Sequence, residues 1–205
     1  EISQDEIYLY IGDFGNNAGN RTNLKVFKSA VRASSSNSAL QEQEIQFKYP
    51  EQTAFNLTNK KTNFDGEAII FLNGKLHLFT KEWSSNGTTH YTLNPEIFEV
   101  QNAEKQEVFK TNFMVTDAAY FENQLYLVGY AKNADVYLQI FTKSDDDLFF
   151  TKNSTKYFLG SAFTIGQIEG VAVNEEGIFL SGERFKTAIS NIPPKLFFIP
   201  EEKLK

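Results

Sequence analysis

The chain has 205 residues, enough for one domain with a sizeable buried core. Its formal net charge is −6 and its acidic residues are scattered, which argues against nucleic acid as a partner. The lack of cysteine excludes thiol catalysis, disulfides and cysteine-ligated zinc, and two histidines, His77 and His90, are too few for a histidine-rich metal site. No apolar run reaches the roughly eighteen residues of a membrane span.

The first predicted element is a hairpin that ends in an unusual loop. The stretch "EISQDEIYLYIGD" (Glu1–Asp13) has a polar turn between β-rich runs, which predicts an antiparallel pair. It continues into "YIGDFGNNAGNR" (Tyr10–Arg21), which is rich in glycine and asparagine, the residues that tolerate tight turns. The stretch is a ligand loop, a metal loop or a turn between strands.

Three later segments repeat the hairpin pattern of an acid, a short apolar run, a polar turn and a second apolar run. They are "EAIIFLNGKLHLFTKE" (Glu67–Glu82), "DAAYFENQLYLVGY" (Asp117–Tyr130) and "EGVAVNEEGIFLSGER" (Glu169–Arg184). Further strand-like runs lie between them, among them "NLKVFKS", "THYTL", "DVYLQIFTK" and "KLFFIP". Four short strands in each unit of about fifty residues are typical of a β-propeller blade.

The sequence therefore predicts an all-β protein, a β-propeller of four-stranded antiparallel blades with four blades visible. The expected blades are residues 1–50, 51–110, 111–160 and 161–205. Convincing helical periodicity is absent, and the Ser-rich Ser29–Glu44 is predicted to be a polar loop. A β-sandwich is the alternative, although it gives no reason for the period. The first unit opens on its first strand and the last ends on its third, so we expect an N-terminal part with further blades upstream.

The acids that open the repeats are candidates for a metal site. The first strand of a propeller blade lines the central channel, so Glu1, Glu67, Asp117 and Glu169 are expected near one channel mouth. Converging carboxylates repel unless a cation, a base or a proton offsets their charge. Calcium, which prefers oxygen ligands, is the metal that Glu67, Asp117 and Glu169 would suit. Alternatively, each acid accepts backbone N–H groups of the adjacent blade and links the blades.

Candidate ligand-binding residues lie in the first loop and at the ends of the second strands. Loop oxygens could bind a ligand, and an arginine could clamp a carboxylate or phosphate. The loop matches neither an EF-hand nor a P-loop. The only tryptophan either packs between blades or forms a wall of the mouth, and both histidines are expected to be satisfied strand residues. The candidates are Asp13, Asn16, Arg21, Lys81, Glu82 and Arg184.

Four stretches share acidic and glycine-rich motifs: "EISQDEIYLYIGDFGNNAGNRTNLKVFK", "NFDGEAIIFLNGKLHLFTKE", "VTDAAYF" and "GQIEGVAV". They resemble a widespread group of largely uncharacterised bacterial β-propellers of the secreted or lipoprotein type, with an IGDxGxN…R loop, a D-x-E-A strand and a T-x-A-D strand. The third stretch departs from the pattern with its acid one step early, and Gly170 stands where Ala68 does. The signature positions that the resemblance implies are Asp13, Asn16, Arg21, Asp65, Glu67, Thr116, Asp117 and Glu169.

The resemblance implies a bacterial protein that is secreted, periplasmic or anchored at the outer surface. More distant propeller relatives include phytase-like esterases, lactonases and binding modules, so fold does not fix function. We expect a binding module at the cell envelope that presents its channel mouth to a small molecule, a glycan or a protein. The alternative is a calcium-dependent hydrolase of the phosphoesterase or lactonase type. The predicted mouth offers no histidine and only Arg21, Lys81 and Arg184 as cations, which favours the non-enzymatic function.

Overall fold

The computed structural model describes residues 1–31, 42–55, 61–188 and 191–203. Most of the predicted loop Ser29–Glu44 lies outside these residues. Within them the only helical segments are α1 (Ala162–Ile165) and a 3-10 turn at Glu201–Lys203. The chain divides into two units, which are unit 1, Glu1–Ser84 with Thr89–Gln106, and unit 2, Ser85–Thr88 with Glu107–Lys205.

Unit 1 contains two blade sheets, apart from Thr88 and residues 107–109 at two strand ends, which belong to unit 2. The strands in chain order are β1 (Ile2–Gln4), β2 (Tyr8–Asp13), β3 (Leu24–Ala30), β4 (Gln43–Lys48), β5 (Asp65–Leu72), β6 (Lys75–Lys81), β7 (Thr88–Leu93), β8 (Gln101–Asn102) and β9 (Glu104–Phe109). The first sheet has the order β1-β2-β3-β4-β8, in which β8 adds a short parallel strand to the outer edge. The second has the order β5-β6-β7-β9. No residue pattern predicts the added strand β8.

Unit 2 contains the other two blade sheets. Its strands are β10 (Met114–Phe121), β11 (Gln124–Tyr130), β12 (Asp135–Thr142), β13 (Ser154–Ser161), β14 (Gln167–Asn174), β15 (Gly177–Glu183), β16 (Phe185–Lys186), β17 (Asn191–Ile192) and β18 (Lys195–Pro200). One sheet has the order β10-β11-β12-β13, and the other β14-β15-β18. The last blade thus has three strands among the described residues, and β16 and β17 form a small separate pair.

Polar turns close the inner hairpins, as the sequence predicts. Three of these turns have two residues, whereas the longer segment Asp5–Ile7 connects β1 and β2. In the hairpin of β5 and β6 the turn residues Asn73 and Gly74 both have positive φ, 48° and 77°. In the hairpin of β10 and β11 they are Glu122 and Asn123, at 47° and 63°. Two consecutive residues with positive φ match the type I′ turn, whose twist suits antiparallel strands.

Each unit buries its own apolar core between its two blades. In unit 1 alternate residues of β5, β6 and β7 face the first sheet, and Leu78 and Tyr91 pack in one cluster with Val26 and Phe47. In unit 2 the same alternation joins Val128 and Leu138 to residues of the last sheet. Side chains that alternate in and out along a strand produce such a core.

The fold class is the predicted one: the protein is all-β, and each unit contains two small, mainly antiparallel sheets of the kind that form β-propeller blades. The blade boundaries proposed from the sequence stay a prediction. No helix in the described ranges is long and apolar enough to cross a membrane.

Candidate functional site

The glycine- and asparagine-rich loop after β2 is closed by Arg21. The Arg21 guanidinium lies 2.9 Å from an Asp13 carboxylate oxygen and donates to the Gly15 carbonyl at 3.0 Å. It also donates to the Asp13 carbonyl at 3.2 Å and to the Asn23 side chain at 3.2 Å. The planar fork therefore serves the loop's own carbonyls and carboxylate. Arg21 holds the loop closed, and its role as a ligand clamp stays a prediction.

Asn16 joins this loop to the second blade of unit 1. Its backbone N–H donates to Oδ1 of Asp65, and its side-chain amide donates to the Phe64 carbonyl at 3.2 Å. The Asn16 side-chain oxygen accepts from the backbone N–H of Arg21 at 3.0 Å. Asn16 is only 2% exposed. Its polar atoms are thus used inside the protein, as buried polar groups require.

Asp65 is the residue on which the loop depends most, and the sequence identified it only through the family resemblance. It is fully buried at the start of β5. Besides the Asn16 N–H, it accepts the indole N–H of Trp83 at 2.9 Å. The same indole N–H lies 3.1 Å from the Asn17 side-chain oxygen. Trp83 is 8% exposed, so it serves as a packed donor to the loop and to Asp65.

Phe14 anchors the loop in the core of unit 1. The ring is fully buried and packs against Phe47. It lies so close to two glycines that a Cβ built on Gly12 would sit 2.2 Å from the ring, and one built on Gly66 would sit 2.5 Å from it. Both positions therefore have to be glycine to admit the ring. The motif letters "GDF" and "DGE" encode this packing.

Glu67 and Lys81 form a polar pair beside this network. They lie on neighbouring strands with Lys81 Nζ 3.6 Å from Glu67 Oε1, and Lys81 also lies 5.0 Å from the Trp83 ring. Burial raises the pKa of Glu67 to about 8, against the pull of the Lys81 charge and with a further push from Asp65. Lys81 is 4% exposed, so the ammonium belongs to the packed strand ends.

Three further polar residues are buried: His77 in β6, His90 in β7 and Glu82 directly after β6. Glu82 accepts a hydrogen bond from the Thr89 hydroxyl at 2.6 Å and one from Thr80 at 3.3 Å. His77 Nδ1 and His90 Nε2 are 2.8 Å apart. Both histidines are strand residues, as expected. Glu82, predicted as a ligand residue, is directed to two threonines.

Three inner strands contain a one-residue shift of register at the same place. The shift falls at Glu67 in β5, at Thr116 in β10 and at Glu169 in β14. The sequence repeat had grouped Asp117 with the two glutamates, but the pairing puts Thr116 in that series and Asp117 one residue further along. The β1–β2 pair keeps a continuous register and is extended by the Gly12 N–H, which donates to the Glu1 carbonyl at 2.7 Å. Bulges of this kind re-aim side chains at strand ends.

Thr116 and Asp117 link the two blades of unit 2. Asp117 Oδ2 accepts the backbone N–H of Val171 in β14 at 2.8 Å, and the Thr116 hydroxyl donates to the Ile168 carbonyl at 2.8 Å. Burial raises the pKa of Asp117 to about 7, although the N–H groups of Val171 and Ala118 lower it. For Asp117 the geometry fits the blade-linking alternative. In unit 1, Ser3 makes a comparable link by accepting the Phe71 N–H at 2.8 Å.

The remaining predicted residues of unit 2 are less constrained. Glu169 accepts a hydrogen bond from the Gln167 side chain and opposes the ionisation of Asp117. Arg184 follows β15 and is exposed. Over the described ranges no group of three or more His, Asp or Glu side chains is arranged to hold a metal ion. The calcium site predicted at Glu67, Asp117 and Glu169 draws on both units and stays a prediction.

A cleft that no sequence motif predicts lies between the two blades of unit 2. Its volume is about 410 Å³, within the range of small-molecule sites. It is lined from the β10–β11 turn, the β14–β15 turn, the adjacent parts of β11, β12 and β13, and the 3-10 turn after β18. Six of the fifteen lining residues are acidic or aromatic, namely Phe121, Glu122, Tyr126, Tyr157, Glu175 and Glu201.

Sequence motifs do not predict the cleft, because the residues that line it are scattered along the chain. Each lining segment is an ordinary turn or strand end, and only the pairing of β12 with β13 and the packing of β14 against β10 bring them together. A smaller cavity of about 260 Å³ lies in unit 1 around Thr92, Asn94 and Gln101.

Comparison of the chain with models of known protein families gives no match, and comparison with curated proteins gives none either.

Proposed function

We propose that the protein is a non-enzymatic ligand-binding module. The observation that carries the proposal is the cleft of unit 2, which combines a volume of about 410 Å³ with aromatic walls and several polar side chains. Small-molecule sites pair apolar and aromatic walls with polar groups that orient the ligand, and eight of the fifteen residues that line this cleft are polar or charged. A small molecule or one residue of a glycan or peptide fits such a volume.

The predicted residues at the strand ends hold the loop and the strands of the scaffold together. The backbone N–H of Arg21 donates to the Asn16 side chain, and the backbone N–H of Asn16 donates to Asp65 at the start of β5. Asp117 accepts a backbone N–H from the next blade. A rigid scaffold of this kind holds binding residues in place at low cost in conformational entropy. The predicted ligand surface at Asp13, Lys81 and the neighbouring strand ends is a second proposed site on the same module.

We also propose that the module works at the bacterial cell envelope. The resemblance to secreted and lipoprotein-type propellers supports this location, and the absence of cysteine fits a protein that needs no oxidative folding. Expression of the full gene product with an epitope tag in a bacterial host, followed by fractionation, tests it. Recovery in the cytosolic fraction alone would contradict the location and leave the binding proposal standing.

The binding proposal is tested by a fragment screen that is read through backbone amide resonances. We expect fragments to perturb the amides of Gln124, Thr155 and Asn174, which line the cleft. The variant Thr155→Trp should abolish these perturbations, because Thr155 is exposed on the cleft wall and the larger side chain fills it. Thr151→Trp, exposed nearby but outside the lining, is the matched control. A screen in which no fragment reaches these amides would contradict the proposal.

The calcium-dependent hydrolase is tested separately by thermal unfolding with calcium. Raised pKa values at Glu67 and Asp117 are the feature that a bound divalent cation would relieve. If these residues bind calcium, millimolar calcium raises the melting temperature of the wild type, and Glu67→Gln reduces that shift. Equal melting curves with and without calcium would remove the metal-dependent function.

A further inference from the structure

We infer that the cleft of unit 2 binds a small organic cation, an amine or quaternary ammonium group on a short hydrocarbon or hydroxylated body. The inference rests on the proposed binding function and names the chemistry of its ligand. Charge, aromatic walls and size each contribute one step.

The charged side chains that line the cleft are all acidic. Glu122 comes from the β10–β11 turn, Glu175 from the β14–β15 turn and Glu201 from the 3-10 turn after β18. Among the described residues that line the cleft there is no lysine or arginine. A concave surface lined by charges of one sign concentrates the field and raises the local concentration of the opposite ion. Anionic ligands are therefore disfavoured, and cations are favoured.

The aromatic walls give a cation a second kind of contact. Tyr126 and Tyr157 line the cleft, and the Tyr126 hydroxyl donates to Gln124 Oε1 at 2.8 Å, which fixes its ring. Burial, with help from Glu122 and Glu201, raises the pKa of Tyr126, so the phenol stays neutral. Ammonium groups bind over aromatic faces, most strongly when part of their hydration is lost. Elsewhere in unit 2 the chain makes this contact itself, with Lys156 Nζ 4.0 Å from the centre of the Tyr137 ring.

The size and the remaining polar groups limit the ligand's body. A volume of about 410 Å³ admits a molecule of the size of a diamine or an amino alcohol, but not a folded peptide. Asn153, Asn174 and Thr155 add neutral donors and acceptors at the cleft wall. Hydroxyl groups on the ligand's body would hydrogen-bond there, while the charged head meets the carboxylates.

The test compares cations with neutral molecules of the same shape. Putrescine and choline are titrated into the full chain at low salt, with 1,4-butanediol and 3,3-dimethyl-1-butanol as their uncharged counterparts. We expect both cations to shift the amides of Tyr126, Tyr157 and Asn174, and the alcohols to leave them unchanged. Binding should weaken as salt is raised, because carboxylates at a rim are screened.

Two neighbouring glutamates supply a matched pair of variants. Glu175 lines the cleft, whereas Glu176 lies in the same turn outside the lining. Glu175→Gln should weaken putrescine binding by about threefold or more, the size expected of one partly exposed charge, and Glu176→Gln should leave it unchanged. Both variants keep the turn, because Asn174 bonds the backbone N–H groups of Glu176 and Gly177.

Three results would overturn the inference. They are equal shifts with the diol and the diamine, equal loss of affinity in the two glutamine variants, and no shift with either cation. If neutral fragments bind the cleft while the cations do not, the binding function stands and the ligand class is wrong. If neither cations nor any fragment reaches the cleft, the binding function itself fails.

Discussion

Arg21 braces the loop that follows β2. Its fork reaches one carboxylate and four carbonyl or amide oxygens of the loop that it closes. An arginine is suited to this because its five donors lie in one plane. The sequence showed the residue types but not their partners, since the loop's path decides which oxygens face the guanidinium.

The first prediction concerns this brace. Arg21→Met should lower the free energy of unfolding by about 1 to 2 kcal/mol, because several charge-assisted hydrogen bonds are lost at a partly exposed site. Urea unfolding monitored by circular dichroism measures it. Lys25→Met is the matched control, since the Lys25–Glu44 pair has nearly the same exposure but a single hydrogen bond, and it should change stability little. Equal effects in the two variants would contradict the brace.

The loop between β2 and β3 and the strand end before it are rich in glycine. Their glycines have different reasons to be glycine, which no count of residue types reveals. Gly12 stands under the Phe14 ring, whereas a Cβ on Gly15 would meet nothing within 4 Å. The sequence correctly predicted a turn-rich loop after β2. It could not show that Phe14 turns inward, because an aromatic residue between glycines reads equally well as an exposed loop residue.

The second prediction follows from that difference. Gly12→Ala should destabilise the protein by about 1 to 3 kcal/mol, because the added methyl overlaps a fully buried ring. Gly15→Ala, three residues away in the same loop, should be close to neutral. Thermal and urea unfolding of both variants provide the measurement. The double variant Gly12→Ala with Phe14→Leu should recover part of the loss, and a failure to recover any would point to a cause other than the ring.

At the scale of strands, the hairpins were predictable and the register was not. Alternating apolar residues and the turn letters identified each inner pair, and the strands lie where the patterns put them. The shared bulge could not be predicted, because a pattern of residue types does not tell which residue is the extra one in the strand. For this reason Asp117 was aligned with Glu67 and Glu169, although Thr116 is the residue at the bulge.

The third prediction tests the link between β10 and β14. Thr116→Val keeps the shape of the side chain and removes the donor to the Ile168 carbonyl, so stability should fall by about 1 to 2 kcal/mol. Amide exchange of nearby Val171 should become faster, since its bond to Asp117 depends on the same contact between the strands. Thr142→Val, at an exposed strand end, should change neither quantity. Unchanged exchange at Val171 in Thr116→Val would contradict the link.

At the scale of the whole chain, two carboxyl groups make stability depend on pH in an unusual direction. Burial raises the pKa of Glu67 in unit 1 to about 8 and that of Asp117 in unit 2 to about 7. In the unfolded chain both would titrate near their ordinary values of 4.5 and 3.8. Between the unfolded and folded pKa values the folded protein binds more protons than the unfolded chain. The free energy of unfolding therefore falls as the pH rises.

The fourth prediction follows from that sign. The contribution of the two groups to stability is fully present below about pH 4, declines as the pH rises through 7 and 8, and is constant above. Glu67→Gln and Asp117→Asn should each flatten the fall in unfolding free energy between pH 5 and pH 8, measured by urea unfolding at each pH. Glu44→Gln is the control, because the Lys25 ammonium lowers the pKa of Glu44 and its titration lies below this window. Parallel profiles for the wild type and all three variants would show that neither buried carboxyl holds its proton in the folded state.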